Sequence, residues 1–202
     1  MKNSQSSTLV IEGLDSLGKS LQARELASFL QEKGFSVAKI KSPHNEGFTF
    51  RLIYWMLGNG LARKFQNVFQ FIHFANKLYF QTFKLPKILK RYDFVIFDRW
   101  SISMWAYGVA DGASARITQW MLKYIVEPDL TIILDGERHP RERSDDSYEC
   151  DSTYQRKVRG MYLNWAMLNG SEHVGIVNAN QEVYEVTASI VKHMEAKGIL
   201  KS

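Results

Sequence analysis

Gly13-Leu14-Asp15-Ser16-Leu17-Gly18-Lys19-Ser20 matches the pattern G-x-x-x-x-G-K-[ST] without a mismatch. Glycine at 13 and 18 lets the backbone curl until its N–H groups converge on phosphate oxygens, aided by the positive end of the helix that follows. In such a loop Lys19 neutralises the β- and γ-phosphates and the Ser20 hydroxyl ligates Mg²⁺. Gly13, Ser16, Leu17, Gly18 and Leu21 complete the expected ATP contacts. A chance match in a chain of 202 residues is roughly a 1% event from average residue frequencies. The flanks agree with the motif. Leu9-Val10-Ile11 reads as a strand before it, and residues 19–33 as a helix with Ala23, Leu26, Phe29 and Leu30 on one face and Gly34 as its stop.

Residues 35–40, 94–97, 130–134 and 174–177 read as further strands. Phe94-Val95-Ile96-Phe97 and Leu130-Thr131-Ile132-Ile133-Leu134 are near-continuous apolar runs, as expected of strands covered on both faces. Helical patterns fill 48–57, 64–89, 117–126, 153–168 and 182–197. Alternation of this kind implies an α/β domain with a five-stranded parallel sheet and helices on both faces. Ligands of such sheets bind at the carboxyl ends of the strands, so chemistry-bearing residues are sought there.

They are found there. The strand ending at Phe97 runs into Asp98, able to hold Mg²⁺, and Arg99, able to grip an acceptor phosphate bidentately. Ser103, Trp105 and Tyr107 follow on the next helix. Residues 137–149 are almost devoid of apolar content and carry Arg138, Arg141 and Arg143. They read either as a solvated loop or as a short lid, about 136–150, that brings arginine charge over a transferred phosphoryl group. The helical stretch 64–89 is aromatic on most faces (Phe65, Phe69, Phe71, Phe74, Tyr79, Phe80, Phe83), which fits a buried helix or a subunit interface. His73, Lys77, Phe80 and Lys84 share one face of it, which reads either as the lining of a base pocket or, at His73, as a satisfied core histidine. Lys84, Lys87, Lys90 and Arg91 read as a solvated helix end, so a nucleic-acid partner is not expected.

Bulk composition sets the frame. A chain that is 45% hydrophobic and 23% charged is that of a folded globular domain, and 202 residues make one domain. The net charge of +5 suits an anionic ligand without demanding one. Cys150 is the only cysteine, which excludes an intramolecular disulfide. The polar amino terminus and the lack of any apolar run near the ~18 residues needed to span a bilayer point to a cytoplasmic protein with no membrane partner.

On these residues the chain resembles the thymidylate kinase family over most of its length. Residues 11–23 look like that family's P-loop with its embedded acid, Asp15. Asp98-Arg99-Trp100-Ser101-Ile102-Ser103-Met104-Trp105-Ala106-Tyr107 is similar to D-R-Y-x-x-S-x-x-A-Y. Pro128-Asp129-Leu130 and Leu134-Asp135 match P-D-L…L-D, Asp146-Ser147-Tyr148-Glu149 resembles the lid's D/E-R-Y/F-E, and Val177-Asn178-Ala179 resembles the adenine-side V-D-A loop. The resemblance implies a P-loop NTPase fold, Mg·ATP as donor and a deoxynucleoside monophosphate as acceptor. It places Asp15, Pro43, His73, Phe74, Lys77, Arg99, Ser103, Tyr107 and Tyr148 around the acceptor, Ala179 beside adenine, and a homodimer joined through the 64–89 segment.

Three departures stand out. The family's F-x-A-x-R base-reading signature is His73-Phe74-Ala75-Asn76-Lys77, a proline-adjacent phosphate-binding arginine is absent from Ser42-Pro43-His44-Asn45, and Ser16 stands where some members have a catalytic arginine. The last shifts that role to the lid arginines, and the first leads us to expect tolerance of pyrimidines other than thymine. Two rivals remain open from sequence: a deoxynucleoside kinase using Glu12 as a base for a 5′-hydroxyl, and a non-catalytic nucleotide- or nucleic-acid-binding regulator. A modified base within DNA is a further candidate acceptor.

Overall fold

The computed structural model describes residues 6–44, 47–136, 152–169 and 173–200. Strands β1 (Ser7–Gly13), β2 (Val37–Lys41), β3 (Phe94–Asp98), β4 (Leu130–Asp135) and β5 (Val174–Asn178) form one parallel sheet in the order β2-β3-β1-β4-β5. Each lies where the apolar runs predicted it. The central strands are buried almost throughout, because helices cover both of their faces, while the edge strands β2 and β5 alternate with exposed residues. The register pairs Ile11 with Asp98 and Gly13 with Leu134, which brings the carboxyl ends of β1, β3 and β4 to one edge. Gly13 is obligatory in that arrangement. Its φ is 136°, and a Cβ there would lie 2.6 Å from the Leu134 carbonyl oxygen.

Among the described residues, eight helices lie between the strands and a ninth follows β5: α1 (Lys19–Glu32), α2 (Gly47–Gly58), α3 (Leu61–Lys64), α4 (Gln66–Phe83), α5 (Leu85–Leu89), α6 (Ser101–Ala110), α7 (Ala115–Leu122), α8 (Ser152–Asn169) and α9 (Val183–Ala196). The single helix expected over 64–89 is therefore three. Phe65 is non-helical at φ −124°, ψ 53°, and Pro86 in the first turn of α5 has no N–H with which to continue α4. The helix expected at 117–126 starts and ends earlier, capped by the Ser114 hydroxyl accepting from Ile117 N–H at 3.4 Å. A reciprocal Glu182–Glu185 capping box starts α9.

The larger core joins β1 and β4 to α1, α6, α8 and α9 through Leu26, Leu30, Ile132 and Ile190. A second lies between β3 and α4, α5 and α7, with Phe80, Phe97, Trp100 and Met121 at its centre. Truncating one such buried leucine typically costs about 2–5 kcal/mol, so the phosphate loop springs from a rigid base.

Candidate phosphoryl-transfer site

Between β1 and α1 the loop turns through left-handed backbone at Ser16 (φ 65°) and Gly18 (φ 77°), the latter capping α1. The first turn of α1 carries no acidic residue, so its free N–H groups face the loop uncompensated. Leu17 is buried and anchors the loop. Lys19 is 6% exposed, donates to the Leu14 carbonyl, and lies 3.9 Å from the Asp15 carboxylate. Burial, reinforced by the Arg99 charge, pushes the Lys19 ammonium down to about 7, with Asp15, Asp98 and Glu12 opposing the shift. The Ser20 hydroxyl donates to the Asp98 carboxylate. These two oxygen donors meet at the mouth of the loop and are the right chemistry for Mg²⁺.

Arg99 occupies strained left-handed backbone (φ 68°), its N–H bonded to Ile11 O across the sheet at 3.0 Å. Its guanidinium reaches back over the loop. It donates to the Asp15 carboxylate, to Gly13 O at 3.3 Å and to Ser103 Oγ at 3.4 Å. The Tyr107 hydroxyl donates to the other Asp15 oxygen at 2.9 Å. Burial works to raise the Asp15 carboxyl, but the Arg99 and Lys19 charges and the Tyr107 hydrogen bond outweigh it and hold it below the usual range. Lys19, Asp15, Arg99, Ser103 and Tyr107 thus form one charged cluster.

Glu12 belongs to this cluster in a role its sequence position does not reveal. It is fully buried and accepts from Trp100 N–H at 2.7 Å, Ser103 N–H at 3.2 Å, the Ser103 hydroxyl, and Tyr162 OH at 3.3 Å. With both oxygens committed to the start of α6, it holds the Arg99-bearing turn in place. Sequence reasoning missed Tyr162, whose hydroxyl also lies 3.0 Å from Ser103 Oγ and 3.5 Å from Arg99. Tyr154, Val158 and Tyr162 recur at i, i+4 and i+8 on α8, a spacing from which an inward tyrosine could have been read.

On the α4 side, Asn76 fixes the turn after β2 by bonding His44 N–H at 2.9 Å, His44 O at 3.3 Å and Thr49 Oγ1 at 3.0 Å. This sets Pro43, half-buried, beside α4. Lys77 is 2% exposed; its ammonium donates to Ser42 Oγ at 2.6 Å and sits 5.2 Å from the centre of the Trp100 ring. Burial lowers it to about 8, with Glu12 opposing and Arg99 reinforcing the shift. His73 packs edge-on to Phe69 at 4.7 Å, and burial, with the Lys77 charge behind it, lowers it to about 3, so the imidazole is neutral. Phe74, expected beside the acceptor, is instead drawn into the second core near Trp120 and Tyr124, because its position on α4 faces α7.

Ala179 follows β5, its N–H bonded to Asp135 O at 2.7 Å. Beside it Asp135, Gly136, Arg159, Ile176, Asn178 and Asn180 line a cleft of about 480 Å³, with Arg159 paired to Asp135 at 2.5 and 2.8 Å. Arg138, Arg141, Arg143 and Tyr148 lie outside the described residues. Among the described residues no helix is long and apolar enough to cross a membrane.

A family model described as thymidylate kinase matches residues 11–190. The chain is 30% identical to a probable thymidylate kinase of Thermococcus onnurineus, covering 93% of this chain and 96% of that one. It is 28% identical to a thymidylate kinase of Nitrosomonas eutropha over 93% and 91%. Among solved structures, Candida albicans thymidylate kinase, a protein described as having broad substrate specificity, superposes with a TM-score of 0.79 at 25% identity over 96% and 93% of the two chains. The Ehrlichia chaffeensis enzyme shares the fold at a TM-score of 0.73 and 20% identity, over 93% and 98%.

Proposed function

The chain belongs to the thymidylate kinase family, and from that premise we propose that it transfers the γ-phosphoryl group of Mg·ATP to a pyrimidine deoxynucleoside monophosphate, dTMP foremost, to give the diphosphate. ATP is the phosphate donor that the family and the intact loop imply. One observation carries the reading: Arg99 is held by Asp15 against the same loop that presents Lys19, so a donor-side and an acceptor-side cation flank one carboxylate. An acceptor phosphate monoester is largely dianionic at neutral pH, since its second pKa is ~6, and needs no base to attack. What it needs is charge to offset the repulsion of two anions, and catalysis of this kind is positioning and electrostatics.

The inward Glu12 supports the same choice. A deoxynucleoside kinase wants a base free to reach a 5′-hydroxyl. Here both Glu12 oxygens are occupied by backbone and hydroxyl donors in a fully buried setting.

Ser20 and Asp98 would hold Mg²⁺, which neutralises charge on the phosphates when bound. Ala179 and the adjoining cleft would take the adenine side of ATP. Pro43, His73, Lys77, Ser103 and Tyr107 would surround the acceptor nucleoside, with Tyr148 closing from a 136–150 lid whose Arg138, Arg141 or Arg143 supplies the transition-state cation. The whole chain is read as one kinase domain of the cytoplasm, where its substrates are. Phe48, Trp55, Phe65, Val68, Phe71 and Phe83 stand exposed on α2, α4 and their flanks, an apolar surface that supports a homodimer.

The test is product identification. With Mg·ATP and dTMP the wild type should yield ADP and dTDP, and Lys19→Ala should abolish both while keeping its fold. Turnover of Lys19→Ala within tenfold of wild type would sink the reading.

A further inference from the structure

Helix α8 delivers a hydroxyl into the charged cluster. Val158 and Tyr162 lie one turn apart on its inner face and are 0% and 1% exposed. The helix around them is pinned to its neighbours. Lys157 Nζ donates to Ala110 O at 2.6 Å, at the end of α6, and the Arg159 guanidinium pairs with Asp135 at the end of β4. Trp165, nearly one turn beyond Tyr162, packs on Trp105 of α6 with ring centres 5.3 Å apart. Packing alone would be satisfied by phenylalanine at 162, and burying a hydroxyl costs free energy unless its hydrogen bonds are made.

Those bonds have a direction. A carboxylate only accepts, so the Ser103 hydroxyl proton points at Glu12 Oε2. Ser103 Oγ then offers only lone pairs to its other neighbours, and Tyr162 is the donor in the 3.0 Å contact between the two hydroxyls. Burial and the Glu12 charge push the Tyr162 phenol well above its usual range, with Arg99 opposing, so it keeps that proton. The oxygens of Ser103 and Tyr162 thereby turn lone pairs toward Arg99. Its Nη2 is taken by the Asp15 carboxylate, while Nη1 spans Gly13 O, Ser103 Oγ and Tyr162 OH at 3.3, 3.4 and 3.5 Å. None of these three bonds is short enough to fix the guanidinium alone; together they define its plane.

We infer that Tyr162 is a positioning residue: its hydroxyl, directed by Glu12 through Ser103, sets the rotation of the Arg99 guanidinium and so aims it at the acceptor phosphate. The inference rests on the kinase reading, in which Arg99 is the acceptor-side cation. It adds α8 to the phosphate loop and α6 as an element that builds the acceptor side. A guanidinium is a planar fork, and it grips a phosphate through two parallel bonds only when that plane is correctly turned. A lysine ammonium has no plane to set, which provides the control.

Steady-state kinetics with dTMP and Mg·ATP on wild type, Tyr162→Phe, Arg99→Lys and the double variant decides it, with thermal melts as the control for folding. Tyr162→Phe keeps the ring and loses the hydroxyl. Its kcat/KM for dTMP should fall about tenfold, the scale of one hydrogen bond to a charged group, while the KM for ATP stays within about twofold. In the Arg99→Lys background the same change should matter by less than about twofold, because the hydroxyl then has no fork to orient. A Tyr162→Phe enzyme within twofold of wild type overturns the assignment. So does a loss that persists in full in the Arg99→Lys background, or one matched by an equal rise in the KM for ATP, as a general loosening of the fold would give. If Tyr162→Phe does not fold, Tyr162→Met is read in the same cycle, its flexible side chain filling the space. Failure of both to fold makes the side chain structural and overturns the assignment. A wild type that turns over no nucleoside monophosphate refutes the kinase reading and the inference with it, whereas turnover left unchanged by Tyr162→Phe refutes the inference alone.

Discussion

Arg99 and Asp15 form an ion pair that ties the end of β3 to the inside of the phosphate loop. Arg99 is 16% exposed at the side chain, Asp15 36%, and Tyr107 bonds the second Asp15 oxygen. The acceptor-side cation is thereby oriented by the loop that holds the donor. Asp15→Asn keeps the shape and removes the charge that aims Arg99. We expect kcat to fall by about 10², the scale of a misplaced reacting group, with the KM for ATP within threefold of wild type. Steady-state kinetics giving a kcat within twofold would show that the pair is incidental.

Because Ser16 cannot supply a guanidinium at the loop, Arg138, Arg141 or Arg143 is expected to do so. Among the three single alanine variants, one should lose about 10³ in kcat, the scale of an arginine finger. Three values near wild type would remove the lid from the mechanism.

Lys77 predicts a pH signature in stability. Its ammonium is lowered to about 8 in the folded protein against 10.5 in the unfolded chain. Between those values the unfolded state binds more protons, so stability rises with pH there, and below pH 8 the burial penalty is fully present. Lys77→Met removes the penalty along with the hydrogen bond to Ser42. At pH 7 its melting midpoint should exceed wild type by about 5 °C, and the gap should close by pH 10. A wild type that is the more stable at pH 7, or a gap independent of pH, contradicts the cause assigned to the shift.

The exposed aromatic surface of α2 and α4 predicts association. Light scattering at micromolar concentration should give twice the 23.3 kDa chain mass. Phe71→Asp or Phe83→Asp should shift it toward the monomer; a wild-type mass of one chain would exclude the interface.

The parts of this account that were legible in the sequence are those set by local pattern. The phosphate loop needs its residues at consecutive positions, and β3 and β4 are continuous apolar runs, so both could be read without tertiary knowledge. The Asp98-Arg99 turn was legible as chemistry but not as geometry: nothing local tells that Arg99 folds back onto Asp15, 84 residues away. Glu12 could be offered as a base in the rival nucleoside-kinase reading because its partners, Trp100, Ser103 and Tyr162, lie far along the chain. The break after Phe83 was visible in Pro86, yet the aromatic run masked it.

On this reading the acceptor is a phosphate monoester rather than a sugar hydroxyl. It is tested most directly by ADP release from Mg·ATP against matched pairs of deoxynucleosides and their 5′-monophosphates. Pyrimidine monophosphates should be turned over and the nucleosides should give nothing above background; turnover with nucleosides but not with monophosphates would overturn the assignment.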